Sequence, residues 1–159
     1  MDALAIKSAQ YARETLAQVR ASGVDELLGR HWLEIAHYPD IPLDVDWKVY
    51  EGVEADGKLR AYTARVDGVL IGYASYFVNH NPHYRSSLQA TQDVLYLAPE
   101  YRKSRIGYRL IAFADAQLAA EGVQAVYQHS KAAHDIGPIL ERQGYELVDL
   151  LYAKRLDRG

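Results

Sequence analysis

The apolar positions of this chain fall into short alternating runs in its middle, followed by one helical stripe. Arg60–Val66 and Val69–Val78 flank Asp67-Gly68, a dipeptide that favours the positive φ angles of a tight hairpin, so two antiparallel strands are predicted. Asn79–Ser87 is polar, contains Pro82 and reads as a loop. Ala90–Leu97 is a third strand, ended by Pro99. Ile106, Leu110, Phe113, Ala114 and Leu118 share one face at helical spacing. Arg105–Glu121 is therefore a predicted helix, with Gly122 as its C-terminal cap. Val123–Gln128 follows as a strand, Asp135–Gln143 as a short helix ending at Gly144, and Tyr145–Leu156 as one or two strands.

Upstream, Asp25–His37 reads as a helix carrying Leu27, Leu28, Trp32 and Ile35 on one side, with Ser22 or Gly23 near its start. Tyr38–Asp46 holds Pro39, Pro42 and three acids, and is a loop. Residues 1–20 form an arm with two readings: a helix over Leu4–Arg20, or a first strand at Thr15–Arg20. An antiparallel meander thus leads into a strand–helix–strand crossover, which should be right-handed. The order predicts an α/β (α+β) fold with a mixed, mostly antiparallel central sheet and helices on both faces. The 159 residues suit one domain, 1–159.

With 49% hydrophobic and 25% charged residues, the composition is that of a soluble globular protein. No apolar run approaches the roughly 20 residues that span a bilayer. The N-terminus lacks a basic start followed by an apolar block, so no membrane partner is expected and the cytoplasm is the predicted location. The absence of cysteine excludes disulfides, thiolate catalysis and Cys-based zinc sites. No His pair has the helical spacing of a zinc site, so no metal is expected. A net charge of −3 argues against a nucleic-acid partner.

The charge is unevenly placed. Between Glu34 and Asp56 stand Glu34, Asp40, Asp44, Asp46, Glu51, Glu54 and Asp56 against Lys48 alone. Between Arg102 and Arg109 stand Arg102, Lys103, Arg105 and Arg109 and no acid. These cations lie where a strand ends, a turn follows and a helix begins. The first turn of a helix has unpaired N–H groups and partial positive charge, which suits an anion. Gly107 permits close approach of a ligand to the backbone. Arg105 and Arg109 lie four apart at the helix end where cations are disfavoured, and a bound anion would remove that conflict. An ordinary strand-to-helix turn with exposed arginines fits the same residues.

Leu95–Leu110 also resembles the acetyl-CoA signature of the GNAT N-acetyltransferases, Arg/Gln-x-x-Gly-x-Gly/Ala after a strand ending in Pro-Glu-Tyr. Arg102, Ile106, Gly107 and Leu110 match it, whereas Arg105 stands where glycine is usual. Ile139–Tyr145 is similar to the family's helix ending in Gly-Phe, and Tyr152–Leu156 to its last strand. The resemblance covers about residues 22–156. His83-Tyr84 and Asp93 are similar to a branch carried by phages and prophages.

The resemblance implies acetyl-CoA as cosubstrate and a GNAT-like fold whose sheet splays between Ala90–Leu97 and Val123–Gln128. It assigns Leu95, Tyr96 and Leu97 to the pantetheine. Arg102, Lys103, Ser104, Arg105, Ile106, Gly107, Tyr108 and Arg109 fall to the phosphates. Ser130 and His134 stand near a polar residue that often meets CoA, or simply in a polar loop. The implied chemistry is direct attack of an amine on the thioester, which needs a base, an oxyanion donor and an acid. The Leu97 N–H is the candidate donor. The usual tyrosine acid is replaced by Leu140, so Tyr152 or Tyr127, among 13 tyrosines, would have to substitute. Asp93, amid apolar neighbours, is the candidate base, with His83 as base or as the group that orients Asp93. The acidic region predicts a cationic acceptor, a small amine or a basic peptide. A homodimer is a further candidate partnership. The competing reading is a non-catalytic GNAT-like module that binds CoA or a protein partner.

Overall fold

The computed structural model describes residues 8–158. The chain divides at His129/Ser130 into two compact units. The first carries β1 (Gln10–Glu14), α1 (Leu16–Arg20), α2 (Val24–Ile35), α3 (Trp47–Ala55), β2 (Leu59–Val66), β3 (Val69–Asn81) and β4 (Tyr84–Leu97). A single 3-10 turn at Pro99–Tyr101, α4 (Ile106–Ala120) and β5 (Ala125–Tyr127) complete it. The second unit contains α5 (Gly137–Arg142).

The five strands form one sheet in the order β1-β2-β3-β4-β5. All neighbours are antiparallel except β4 and β5, which run parallel on either side of α4. The β2–β3 hairpin turns on Asp67 (φ 50°) and Gly68 (φ 79°), the two positive angles its dipeptide predicts. Tyr62, Ala64, Ala74, Tyr76, Val78 and Ala90 pack on one face against Ile106, Leu110, Ala114 and Leu118 of α4. On the other face Val19 of α1 and Val24 and Leu27 of α2 cover Leu70, Tyr73 and Tyr96. Helices thus lie on both faces. Each core leucine stabilises the fold by about 1.5–3 kcal/mol.

Three predicted elements differ, and one helix is unpredicted. The first strand is Gln10–Glu14, and Thr15–Arg20 is neither strand nor part of a longer helix from residue 8; Leu4–Lys7 lie outside the described residues. Thr15 starts α1 through a capping box, its hydroxyl accepting the Gln18 N–H while the Gln18 side chain accepts the Thr15 N–H. The pattern predicts nothing at Trp47–Ala55, where α3 begins on an Asp46 cap. Asn79–Ser87 is not a loop: β3 and β4 stay paired to Asn81↔Tyr84, with Pro82 and His83 as the turn. This arm is largely exposed, so it carries no burial alternation. Tyr145–Leu156 contains no strand. A strand requires a ladder partner, and none of the described strands pairs with this segment.

The register shifts at three places, one of them near the hairpin tip, where His80 pairs with Leu88 and Asn81 with Tyr84; the other two are single-residue bulges. Ala64 pairs with Gly72 and Arg65 with Leu70, which leaves Ile71 as an extra residue in β3. Ser75 pairs with Val94 and Tyr76 with Gln92, which leaves Asp93 as an extra residue in β4. One inserted residue exchanges the faces of everything beyond it. Leu88 and Ala90 accordingly pack toward α4, whereas Val94 and Tyr96, of the same parity, pack toward α2.

Candidate active site

Asp93 is the bulged residue, and the bulge turns its carboxylate to the α2–α3 face. Its Oδ2 accepts a hydrogen bond from the Tyr50 hydroxyl at 2.7 Å and from the Ser75 hydroxyl at 3.1 Å. Tyr50 comes from α3, and its ring lies near-parallel to Phe77 at 6.1 Å. Burial first, then the hydrogen bond and charge of Asp93, push the Tyr50 hydroxyl far above the usual tyrosine range. It therefore stays a donor at neutral pH. Neither partner of Asp93 is among the sequence-predicted site residues. Asp93 itself, the one acid in an apolar strand, was the only readable signal.

Beyond the bulge, β4 runs along an open edge. Only Gln89, Ala90 and Thr91 pair with β5. Two residues past the last β5 pair, the His129 N–H donates to the Gln92 side-chain oxygen at 2.7 Å. Beyond this point no described residue of the first unit pairs with β4 on that side. The paired stretch thus ends at Thr91, within the strands between which the resemblance implies a splay. The Ala98 N–H bonds the Ile71 carbonyl, and the Tyr96 carbonyl faces Gly72 on β3. By strand alternation the backbone groups of Leu95 and Leu97 face the open edge. Tyr96 does not: its backbone serves β3, and its ring is buried and stacked on His31 at 4.7 Å.

The turn after β4 presents the cations in two different states. Arg102 is engaged. Its Nε donates to the Leu97 carbonyl at 2.9 Å, its Nη2 contacts both Glu34 oxygens at 2.9 and 2.7 Å, and its guanidinium lies 5.3 Å from the Tyr96 ring centre. A second pair, Arg30 to Glu100 at 2.7 Å, also joins α2 to this turn. Lys103, Arg105 and Arg109 are exposed, and their side chains make no hydrogen bond or ion pair among the described residues. Arg105 is the N-cap of α4 and supplies no side-chain cap; the Ile106 N–H is taken instead by Ser104 Oγ at 3.2 Å. The Gly107 N–H has no acceptor among the described residues. A cation-flanked helix start with a spare donor can hold an anion. Ile106 is buried in the core and contributes only backbone, while Tyr108 is half-exposed.

The other predicted site residues lie elsewhere. His83 sits at the tip of the β3–β4 hairpin, ten residues before Asp93 in the chain; β3 covers the same stretch between Ser75 and Asn81, about 20 Å of strand. It does not orient Asp93; Tyr50 and Ser75 occupy that place. Tyr127 ends β5 opposite Thr91, beside the splay. In the second unit, Ser130 donates to Asp135 at 2.8 Å and accepts the Ile136 N–H at 2.9 Å, so its hydroxyl shapes the loop before α5. His134 pairs with Lys131 in the same loop. Tyr152 is exposed in the segment without strands, and Leu140, at the usual tyrosine position, is buried. Of the acids, Glu34, Glu51 and Glu54 are held by Arg102, Arg20 and the Leu16 N–H, and Asp46 caps α3.

The sequence model of the Acetyltransferase (GNAT) family matches residues 24–136. Among solved structures, glucosamine-6-phosphate N-acetyltransferase from Arabidopsis thaliana is 12% identical, with a TM-score of 0.74 over 95% of this chain and 100% of that one. A predicted acetyltransferase from Clostridium acetobutylicum, solved with acetyl-CoA, is 11% identical, with a TM-score of 0.72 over 96% and 99%. An aminoglycoside acetyltransferase from an uncultured soil metagenomic sample is 12% identical, with a TM-score of 0.68 over 92% and 97%. No curated protein matches the chain.

Proposed function

The chain belongs to the GNAT family of acetyltransferases, whose cosubstrate is acetyl-CoA, and we propose that it acetylates a primary amine of a cationic acceptor by direct attack. One observation carries this reading: the open edge of β4 joins the Asp93 bulge to the cation-rich start of α4. Pantetheine would bond the Leu95 and Leu97 backbone groups. The phosphates would meet the Gly107 N–H, Arg105, Lys103 and Arg109. The amine nitrogen attacks the thioester carbon, and Asp93 takes the proton that the nitrogen sheds. The Leu97 N–H steadies the oxyanion as the carbon–sulfur bond breaks. CoA leaves as the thiolate and takes a proton from solvent or from Tyr127. The family match runs through the division at His129/Ser130, which supports a single acetyltransferase domain.

The cationic acceptor rests on the loop before α3, where Asp44 is exposed and makes no hydrogen bond or ion pair among the described residues. Carboxylates there would concentrate an ammonium group. They would also hold it protonated, so the rate should climb above pH 7 as the neutral amine forms. The test is thiol release from acetyl-CoA with a polyamine and with an uncharged amine of similar size, each at low and high salt. A polyamine preference that shrinks with salt is expected. Equal specificity constants under all four conditions refute the cationic acceptor. Acetyl-CoA binding without thiol release for any amine or basic peptide would favour the non-catalytic alternative.

A further inference from the structure

We propose that Tyr50 and Ser75 are positioning residues that fix the Asp93 carboxylate through Oδ2 and leave Oδ1 as the atom that takes the proton. The inference rests on Asp93 being the base. Both donors meet the same oxygen, at 2.7 and 3.1 Å. Oδ1 has no partner among the described residues. A free aspartate side chain turns about two bonds, and two donors converging on one oxygen hold it in a single orientation.

The donors are themselves anchored by other contacts. Ser75 stands on β3 opposite Val94, directly beside the bulge. Tyr50 is carried by α3, and α3 is tied to its surroundings without help from Asp93. Trp47 packs on the second core cluster, with the Arg20 guanidinium 4.6 Å from its ring centre. Glu51 bonds Arg20 at 3.1 Å, and Glu54 accepts the Leu16 N–H at 2.7 Å. The Tyr50 ring rests against Phe77. Its hydroxyl is thus placed by the helix, and Asp93 is placed by the hydroxyl. Because the bulge frees Asp93 from the pairing that holds its neighbours, its aim depends on these donors more than a regular strand residue would.

The experiment is a double-mutant cycle with Tyr50→Phe, Asp93→Asn and both together, read as kcat and as KM for acetyl-CoA, using the amine that reacts fastest in the acceptor screen. Phenylalanine keeps the ring contacts, and melting temperatures check the fold. Tyr50→Phe should lower kcat by about tenfold, the scale of one lost hydrogen bond, with KM for acetyl-CoA unchanged. In the Asp93→Asn background the same change should have no further effect. Ser75→Ala should behave as a weaker copy. Full activity of Tyr50→Phe with a slow Asp93→Asn, or effects that multiply in the double variant, would overturn the positioning role and leave the base assignment standing. Normal turnover by Asp93→Asn, or no turnover of any amine by the unaltered protein, would remove the base assignment and this inference with it.

Discussion

Arg102 and Arg105 look equivalent along the chain, yet they should respond oppositely to alanine. Arg102 holds Glu34 through an ion pair whose side chains are 40% and 26% exposed, which is worth about 0.5–1 kcal/mol after solvent screening. Its bond to the Leu97 carbonyl adds about 1 kcal/mol, and its place over the Tyr96 ring about 0.5–1 kcal/mol. Arg102→Ala should therefore cost about 2–3 kcal/mol and lower Tm by about 4–12 °C for a chain of this size. Arg105 is exposed and touches no carboxylate, so Arg105→Ala should move stability by at most about 0.5 kcal/mol. If its guanidinium meets a phosphate of acetyl-CoA, its loss removes a charge-assisted contact of about 1.5–3 kcal/mol, or roughly 10- to 150-fold in Kd. Thermal melts and calorimetry with acetyl-CoA, at fixed ionic strength, measure both quantities. An Arg105→Ala protein with unaltered Kd would refute the phosphate role, and tighter binding would mean that Arg105 crowds the site. An Arg102→Ala protein with unaltered Tm would refute the account of the Glu34 clamp.

Gly72→Ala would place a methyl carbon 2.8 Å from the Tyr96 carbonyl oxygen, so β3 and β4 must part at the cofactor strand; a loss of about 1–3 kcal/mol in denaturant unfolding is expected, with weaker acetyl-CoA binding. Glu14, held below the ordinary glutamate range near 4.5 chiefly by Arg65, contributes stability that is present above that pH and lost as the pH falls through its lowered value. Glu14→Gln should thus be less stable than the unaltered protein at pH 7, with a gap that closes in acid; a gap independent of pH would show that the carboxylate charge is not its source.

The sheet and α4 were legible because their signals are local. Asp67-Gly68 sets a turn by its own backbone preference, and Ile106, Leu110, Ala114 and Leu118 need only one helix to share a face. The bulge was not legible, since an extra residue is defined by the strand opposite. Ala90 and Val94 share a parity and still pack on opposite faces. α3 escaped because Gly52 interrupts a nine-residue pattern too short to establish a period, although Asp46 with Val49 three residues on is a readable cap. With α3 unreadable, Tyr50 is unreadable too, and the sequence offers His83 as the group beside Asp93, although it lies at the hairpin tip about 20 Å away along the strand.

Charge was the least legible property, and the reason bears on the acceptor. The run from Glu34 to Asp56 holds seven acids. Glu34 neutralises Arg102 and Glu51 neutralises Arg20, while Glu54 and Asp46 meet the helix starts of α1 and α3. At least four of the seven are thus matched by a cation or by a helix end of opposite sign. The same pairing withdraws Arg102 from the cation-rich turn, leaving Lys103, Arg105 and Arg109 to meet phosphates. Both fields are therefore weaker than the sequence count implies, and the acidic one is concentrated in the loop before α3. Any recruitment of a cationic amine then depends on a few exposed carboxylates in water, where attraction is shallow and strongly screened. A salt effect confined to KM follows for such a surface, whereas a salt effect on kcat would place the responsible carboxylate against the reacting amine itself.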